Sequence, residues 1–396
     1  MVAQPQPITW VDVNLAAIQE NARAVRRLLK PTTQLMAVVK ANAYGHGLLH
    51  VAETLSAARL VDCFGVASLT EGITLRNHGI TPPILLMGQI LPEEAPLVAR
   101  YHLTATVCTK PVALALARAG QRAKEPIRVH LKVDTGMGRY GVWHAEAPAF
   151  IRWLRAQHGV LVEGLYSHLA SAVQDRAATL QQLAAFRALV ATLERARMYV
   201  PLKHLANSMG CLGYPDSRWD LVRAGLALYG VSPRAGWAPP VRLTPALRWR
   251  ARVAFIKPVP AGRAVSYGGT YRTTRRTRIV TIPVGYAHGY PLRSSNRSAV
   301  LLDGRRLPVV GRVTMDHLML DAGLRGSVRV GEAVTLLGRD RRETIRAEEF
   351  ARWGGTIAYD ALCGISPAVP RYYHPSPRTA TLPPPRRARP ASSATP

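Results

Sequence analysis

The sequence is short of lysine, cysteine and acidic residues. Of its 396 residues seven are lysine and 24 are acidic, so arginine supplies most of the 52 basic side chains behind a net charge of +28. The cysteines lie far apart and form no CxxC pair, which predicts neither a zinc site nor a disulfide framework and is typical of a reducing compartment. They are Cys63, Cys108, Cys211 and Cys363. We expect no bound metal.

Long hydrophobic runs are also missing. No window of about 18 uninterrupted apolar residues occurs, which argues against a membrane-spanning helix. The first residues, MVAQPQPITW, have neither the basic start nor the apolar core of a signal peptide. We therefore expect a cytoplasmic protein with no membrane partner.

The excess of positive charge does not indicate a nucleic-acid-binding protein. Such proteins concentrate basic residues in a patch, with aromatic side chains placed for stacking on bases. Here the arginines are spread along the chain, and the runs RRTR and PPPRRARP are short. We expect no nucleic-acid partner, although the positive field attracts anionic ligands.

The first part of the chain alternates apolar runs with helical patterns. From about Asn14 to Gly230, amphipathic stretches such as NLAAIQENARAVRRLLK separate strand-like runs. The alternation predicts an α/β fold, a parallel (β/α)8 barrel of the TIM type, over residues 1–240. The strand-like runs are QLMAVV, CFGVASL, PILLMG, TATVC, IRVHLKVD, LVEGLYSH, KHLAN and WDLVRAG.

The pattern changes after residue 240. Runs such as RIVTIPVGY and EAVTLLG are joined by turn residues, and only IRAEEFARWGG has a helical pattern. Residues 241–375 are therefore predicted to form a mostly β second domain. Residues 376–396 are rich in proline and arginine without apolar periodicity, which predicts a disordered tail.

One of the rare lysines, Lys40, closes the run QLMAVVK. The carboxyl ends of barrel strands form the active-site face, and a lysine buried there has a lowered pKa. A neutral lysine amine can attack an aldehyde cofactor. Taken alone, Lys40 is better explained as a snorkelling lysine at a strand end.

Polar side chains also follow other predicted strands. An arginine-rich rim with a hydroxyl and glycine-flanked backbone amides is typical of an anion site. We expect these side chains to converge with Lys40 on one face of the barrel, because packing does not explain so many polar strand ends. They are Asp134, Arg139, His168, Asn207, Ser208 and Arg223.

Seven motifs resemble those of the alanine racemase family, in the family's order. They are AVVKANAYGHG, DTGMGRYG, HLANS, VRAGLALYG, SYGGTY, VGYAHGY and GRVTMD, and the resemblance runs from about Ile8 to Tyr372. It implies a pyridoxal 5'-phosphate-dependent racemase that interconverts L-alanine and D-alanine and provides D-alanine for bacterial peptidoglycan. It also implies a head-to-tail homodimer with shared active sites.

The resemblance assigns roles to single residues. It makes Lys40 the cofactor-bearing lysine and one catalytic base, and Tyr267 the second base. Arg139 and the backbone N–H of Met315 match the groups that bind the substrate carboxylate, and Tyr286 lines the entrance. Lys132 matches a lysine that is often carbamylated in the family. The residues that match the family's cofactor site are Tyr44, His168, Asn207, Ser208, Arg223, Gly225, Leu226 and Tyr359.

Arg223 matches the family residue that contacts the cofactor's pyridine nitrogen, and an arginine there has a chemical consequence. A carboxylate beside the cofactor's pyridine nitrogen keeps that nitrogen protonated and makes the ring a strong electron sink. Arginine cannot take up that proton, so the ring stays a weaker sink, which suits racemisation. Decarboxylases of the same fold type use a carboxylate there, and Arg223 argues against membership of that class.

The second domain separates the chain from another class that shares the barrel. A non-catalytic cofactor carrier has the barrel alone, so the domain bearing Tyr267 argues against such a carrier. A serine or broad-specificity racemase stays open, because the sequence does not define which side chain the substrate carries.

Two residues depart from the family pattern. Thr314 stands where many relatives have cysteine, and His288 stands where aspartate is usual. Neither position transfers a proton, so the expected activity is unaffected. His288 adds positive charge near the entrance, which could alter substrate preference or turnover.

Overall fold

A parallel barrel forms the first domain of the computed structural model, which describes residues 7–374. From the first strand to the seventh, each strand pairs with the next one along the chain, and the eighth strand pairs with the first. Between the seventh and eighth strands there is no regular ladder, and isolated backbone hydrogen bonds join the two segments. The predicted barrel is confirmed, because each of the eight predicted runs contains or overlaps one of these strands. The strands are Gln34–Val38, Cys63–Val66, Ile84–Leu86, Thr104–Val107, Ile127–Asp134, Val160–Tyr166, Leu202–His204 and Leu221–Ala224.

Helices surround the barrel because their apolar faces pack on the strands. Polar side chains begin several of them: Asn14 accepts a hydrogen bond from the Ala17 amide, and Asp175 accepts one from the Ala178 amide. Ser68 begins another helix with a capping box. The helices of this domain are Leu15–Arg26, Leu48–Ala57, Leu69–Asn77, Ala95–Arg100, Lys110–Ala123, Ala147–Arg155, Arg176–Arg195 and Ser208–Gly213. The short segment Lys40–Tyr44 is a turn with left-handed backbone angles.

The second domain is rich in strands, as predicted. Its largest sheet contains Arg305–Pro308, Ala299–Leu302, Ala333–Asp340, Leu247–Arg252, Thr9–Asn14 and Arg371–His374 in that order, with Glu343–Ile345 beside Ala333–Asp340. A three-stranded sheet contains Phe255–Val259, Thr277–Ile282 and Leu318–Asp321, and a hairpin pairs Ala264–Val265 with Tyr271–Arg272. The helices are Ala347–Gly354 and Ala358–Cys363.

The amino-terminal strand Thr9–Asn14 precedes the barrel in sequence but pairs within the second domain. It runs antiparallel to Leu247–Arg252 and parallel to Arg371–His374. The indole N–H of Trp249 donates to the Thr9 hydroxyl at 2.9 Å. This pairing fastens both ends of the barrel chain to one sheet, which holds the second domain against the barrel.

Helices that could cross a membrane are absent from residues 7–374, because none there is both long and apolar enough. The predicted disordered tail, residues 376–396, lies outside the residues that the structure describes.

Candidate active site

Lys40 lies two residues after the last residue of the barrel strand Gln34–Val38, at its carboxyl end, and its side chain is half-buried. Burial, and then the positive charge of Arg139, lower the pKa of the Lys40 amine, while the carboxylate of Glu71 opposes the shift. Desolvation disfavours a charged amine, so a larger fraction of Lys40 is neutral than for a lysine in water. A neutral amine at this position can act as a nucleophile or a base.

A left-handed turn follows Lys40. Ala41, Asn42, Ala43 and Tyr44 all have φ near +53°, a conformation that costs about 1–2 kcal/mol per residue for L-amino acids. The turn is held from outside: the Ala41 amide donates to Glu71 at 2.7 Å, and the Leu48 amide donates to Asn42 at 2.8 Å. Strain of this kind persists where the surrounding structure over-determines it, often at functional sites.

The turn directs the Tyr44 hydroxyl towards a cradle on the same barrel rim. The Ser208 hydroxyl oxygen accepts hydrogen bonds from the amides of Gly225 at 3.0 Å and Ala227 at 3.2 Å, which leaves its own proton free to donate. A side chain at position 225 would place its Cβ 2.5 Å from the Tyr44 hydroxyl. Glycine there therefore allows a phenol, a hydroxyl and backbone amides to meet.

Other residues of the predicted cofactor site surround this cradle. The rings of Tyr44 and Tyr359 lie 5.9 Å apart, and burial raises the pKa of both phenols, so both remain hydrogen-bond donors. Asn207 accepts from the Gly210 amide at 2.9 Å and so begins the helix that carries Ser208. Neutral donors that converge in this way suit an anion such as a phosphate group.

Arg223 is buried on the neighbouring strand Leu221–Ala224. Its guanidinium donates to the carbonyl of Ser167 at 2.8 Å and to that of Leu205 at 3.1 Å. It contacts Nδ1 of His204 at 2.9 Å and Nδ1 of His168 at 3.4 Å. Burial lowers the pKa of Arg223 to about 10, so it is still charged at neutral pH.

A histidine pair beneath Arg223 was not predicted from the sequence. Nε2 of His204 lies 2.9 Å from Nδ1 of His130, and Nε2 of His130 lies 3.3 Å from a carboxylate oxygen of Glu163. Burial and the charge of Arg223 hold the pKa of His204 well below its usual range. A neutral His204 accepts from Arg223 and donates onward, so the chain of bonds ends on a carboxylate. A histidine within each of the runs IRVHLKVD and KHLAN is the signal that the sequence offers.

This chain of bonds makes the stability of the protein depend on pH through Glu163. The pKa of the Glu163 carboxyl is lowered, and the hydrogen bond from His130 is the largest cause. The stabilisation is therefore present above the unfolded pKa of about 4.3 and is lost as the pH falls through the lower folded value. We expect Glu163→Gln to reduce the free energy of unfolding near pH 7 by about 1.5–3 kcal/mol.

Denaturant unfolding as a function of pH checks this prediction. The difference between wild type and Glu163→Gln should shrink below about pH 4. Glu53→Gln, at an exposed glutamate of the Leu48–Ala57 helix, is the matched control and should change little. A difference that stays constant down to the acid limit would contradict the charged role of Glu163.

Lys132 and Arg139 lie beside each other near this network. The Lys132 ammonium lies 3.7 Å from the centre of the Tyr140 ring, and the Arg139 guanidinium carbon lies 5.5 Å from the same ring. Burial, and then the charges of Arg139 and Arg223, lower the pKa of Lys132 to about 7. Asp134 shapes the loop towards Arg139, since it accepts from the amides of Gly136, Met137 and Gly138 at 2.8, 2.8 and 2.9 Å.

Of the predicted residues of the second domain, Tyr359 lies on this rim, whereas the other three are exposed. Tyr267, Tyr286 and Met315 are 71%, 46% and 54% exposed. The Tyr286 amide donates to the carbonyl of Thr314 at 3.1 Å, which places the last two near each other. Within residues 7–374, no hydrogen bond, ring contact or charge interaction joins Tyr267 to the rim that holds Lys40.

The two departures from the family pattern have local partners. The Thr314 hydroxyl donates to the carbonyl of His317 at 3.0 Å. Nδ1 of His288 accepts from the Gly285 amide at 3.2 Å, as a carboxylate oxygen could. His288 thus completes the turn that carries Tyr286. No group of three or more metal-ligating side chains suited to hold a metal ion occurs among residues 7–374.

A barrel with a reactive lysine on its rim, fastened to a strand-rich domain, defines a class of two-domain α/β enzymes. Family profiles described as "Alanine racemase, N-terminal domain" and "Alanine racemase, C-terminal domain" match residues 13–233 and 246–373. The chain belongs to the alanine racemase family, a family of isomerases that depend on pyridoxal 5'-phosphate. The match to both domains separates it from carriers that have the barrel alone.

Individual relatives agree with this assignment. The chain is 46% identical over 366 residues to the alanine racemase of Symbiobacterium thermophilum, covering 92% of this chain and 97% of the relative. It is 40% identical to that of Halothermothrix orenii, covering 92% and 96%. The solved alanine racemase of Streptomyces lavendulae superimposes with a TM-score of 0.88 at 34% identity over 94% and 98% of the chains. That of E. faecalis gives 0.86 at 36% identity over 94% and 100%.

Proposed function

We propose that this protein interconverts L-alanine and D-alanine in the cytoplasm, using pyridoxal 5'-phosphate, and so provides D-alanine for peptidoglycan. The observation that carries the proposal is the barrel rim. On it, the half-buried Lys40 lies with Arg223 and with the cradle of Ser208 and Gly225. We infer the substrate from the relatives named above, which are alanine racemases.

The donor set of this rim fits the cofactor. The Ser208 hydroxyl proton, the two phenols of Tyr44 and Tyr359 and the Leu226 amide are suited to donate to a phosphate dianion. The Gly225 amide supports this set by donating to the Ser208 hydroxyl oxygen. The charged guanidinium of Arg223 is suited to donate to a pyridine nitrogen that carries no proton. When bound, the cofactor supplies an electron-withdrawing ring that acidifies the Cα–H of an attached amino acid.

Arg223 limits that electron withdrawal. The histidine that accepts its hydrogen bond, His204, is itself neutral, so no carboxylate lies directly against the guanidinium. A site of this kind withdraws less charge from Cα than one with a carboxylate. The proton is therefore returned to Cα quickly, which is what racemisation without side reactions requires.

Racemisation needs one proton-transferring group on each side of Cα. We assign Lys40 to the side from which D-alanine loses its proton and Tyr267 to the side from which L-alanine does. Arg139 and the backbone N–H of Met315 hold the substrate carboxylate. Because Tyr267, Tyr286 and Met315 are exposed in the single chain, we assign them to the site of a partner subunit in a head-to-tail homodimer. A two-fold dimer then has two identical shared sites.

We further propose that Lys132 is carbamylated. With a pKa of about 7, about 90% of this amine is neutral at pH 8, against well below 1% for an ordinary lysine. Only the neutral amine reacts with carbon dioxide. The amine nitrogen bonds to the carbon of carbon dioxide and releases a proton to water, and the resulting carbamate would place a favourable negative charge beside Arg139.

Nuclear magnetic resonance of the protein in carbon-labelled bicarbonate tests whether Lys132 is carbamylated. We expect a protein-bound carbamate signal at about pH 8 that disappears near pH 6, since protonation of the amine expels carbon dioxide. Lys132→Met should lack the signal, and Lys124→Met, at an exposed lysine, should keep it. The same signal in Lys132→Met would place the carbamate elsewhere.

A panel of amino acids tests the proposed reaction. The holoenzyme is incubated with single enantiomers of alanine, serine, valine and arginine, and chiral chromatography follows the loss of each. We expect alanine to be racemised fastest. Faster racemisation of serine, or equal rates across the panel, would replace the proposal with a serine or broad-specificity racemase. No racemisation by a protein that carries the cofactor on Lys40 would refute it.

A further inference from the structure

His46 is buried within the segment that follows Lys40. Its Nδ1 lies 2.9 Å from the carbonyl oxygen of Tyr44 and 3.1 Å from that of Ala43. Its ring stacks on the ring of Tyr229, with centroids 4.5 Å apart. The Tyr229 hydroxyl donates to the carbonyl of Val38 at 2.9 Å.

These bonds define the protonation state of His46. Both partners of Nδ1 are carbonyl oxygens, so Nδ1 carries the proton and donates it. Nε2 is buried and has no hydrogen-bond partner among residues 7–374. Burial lowers the pKa of His46 to about 4, so the ring stays neutral near pH 7. A neutral ring with its second nitrogen facing no partner is unsuited to move a proton in the reaction.

The position of the pair relative to Lys40 suggests what it does instead. Tyr229 holds the chain two residues before Lys40, and His46 holds the left-handed turn three and four residues after it. Both rings are fully buried and stacked on each other, so the two anchor points are tied together. The segment between them carries the Lys40 amine and the Tyr44 hydroxyl.

We propose that His46 and Tyr229 are positioning residues that keep the left-handed turn in place before the cofactor binds. The inference rests on the proposed function, because it concerns the cofactor held by Lys40 and Tyr44. Without the two bonds of His46, the turn has access to the ordinary right-handed and extended regions of the backbone. A site that is competent only part of the time binds its ligand more weakly by that fraction.

The test measures how tightly the full-length protein binds two ligands after its cofactor has been removed. The first is pyridoxal 5'-phosphate, which uses both Lys40 and the phosphate cradle. The second is pyridoxine 5'-phosphate, which has no aldehyde and uses the cradle without bonding to Lys40. The variants are His46→Leu, which has no donor, His46→Asn, whose amide replaces Nδ1–H, and Tyr229→Phe, which lacks only the hydroxyl.

We expect His46→Leu to weaken the binding of both ligands by about tenfold or more, as for a buried carbonyl left without its donor. His46→Asn should recover most of that loss, and Tyr229→Phe should lose a few-fold. Tyr290→Phe is the matched control, because it removes a fully buried hydroxyl in the second domain that bonds to Ser298 at 3.0 Å. It should lower the Tm without changing either affinity.

Several outcomes would overturn the inference. One is wild-type affinity for both ligands in folded His46→Leu, and another is a loss in His46→Asn as large as that in His46→Leu. If His46→Leu does not fold, unchanged affinity of Tyr229→Phe for both ligands would decide against the pair. Failure of the proposed function is distinguishable, because then the wild-type protein itself would not bind pyridoxal 5'-phosphate at Lys40.

Discussion

Lys40→Ala is expected to reduce racemisation of alanine by more than about 10⁴-fold, because it removes both the cofactor's attachment and one of the two bases. Borohydride reduction followed by peptide mapping should place a pyridoxyl group on Lys40 in wild type and on no lysine in the variant. Rates from chiral chromatography measure the loss.

Lys203→Ala is the matched control for that variant. Lys203 is also a partly buried lysine on a barrel strand, but it pairs with Asp220 at 2.8 Å and is not on the rim. Its removal should leave the rate within a few-fold of wild type. A pyridoxyl group on a different lysine, or a Lys40→Ala variant with substantial activity, would refute the assignment of Lys40.

Tyr267→Phe is expected to lower racemisation by about 10²–10⁴-fold, the range for a positioned acid or base. The loss should be unequal between the enantiomers. In deuterated water, the rate of α-proton exchange should fall strongly for L-alanine and much less for D-alanine. The reason is that Lys40, which removes the α-proton of D-alanine, is still present. Nuclear magnetic resonance of the α-proton signals measures both exchange rates.

Tyr199→Phe controls for the loss of an exposed phenol, since Tyr199 is 64% exposed and lies outside the rim. It should exchange both enantiomers at the wild-type rate. Equal losses from the two enantiomers in Tyr267→Phe would argue against two distinct bases and in favour of a single group that serves both.

The barrel could be predicted from the sequence because its strands are short buried runs separated by amphipathic helices. The position of the strand Thr9–Asn14 in the second domain could not be predicted. Its alternation indicates a strand, but nothing in a local pattern indicates that its partners are Leu247–Arg252 and Arg371–His374, more than 200 residues away. Pairing between distant segments depends on the assembled fold.

The residues of the site also fall into those that could be predicted from the sequence and those that could not. Lys40, Ser208 and Arg223 could be found because polar residues at strand ends stand out against apolar runs. His204 and His130 point into the barrel from within their strands, where one polar residue has the appearance of ordinary packing. Glu71 and His46 support the left-handed turn through bonds to backbone groups, and such bonds leave no pattern in side-chain type.

Each active site of the proposed dimer joins Lys40 of one subunit to Tyr267 of its partner, and mixing Lys40→Ala and Tyr267→Phe homodimers after reversible dissociation tests this arrangement. Every mixed dimer then contains one site with both lesions and one intact site. About half of the dimers are mixed after random exchange, so activity should return to roughly a quarter of wild type. If mass spectrometry confirms exchange and no activity returns, Tyr267 acts within its own chain or is not the base, and the shared site is refuted.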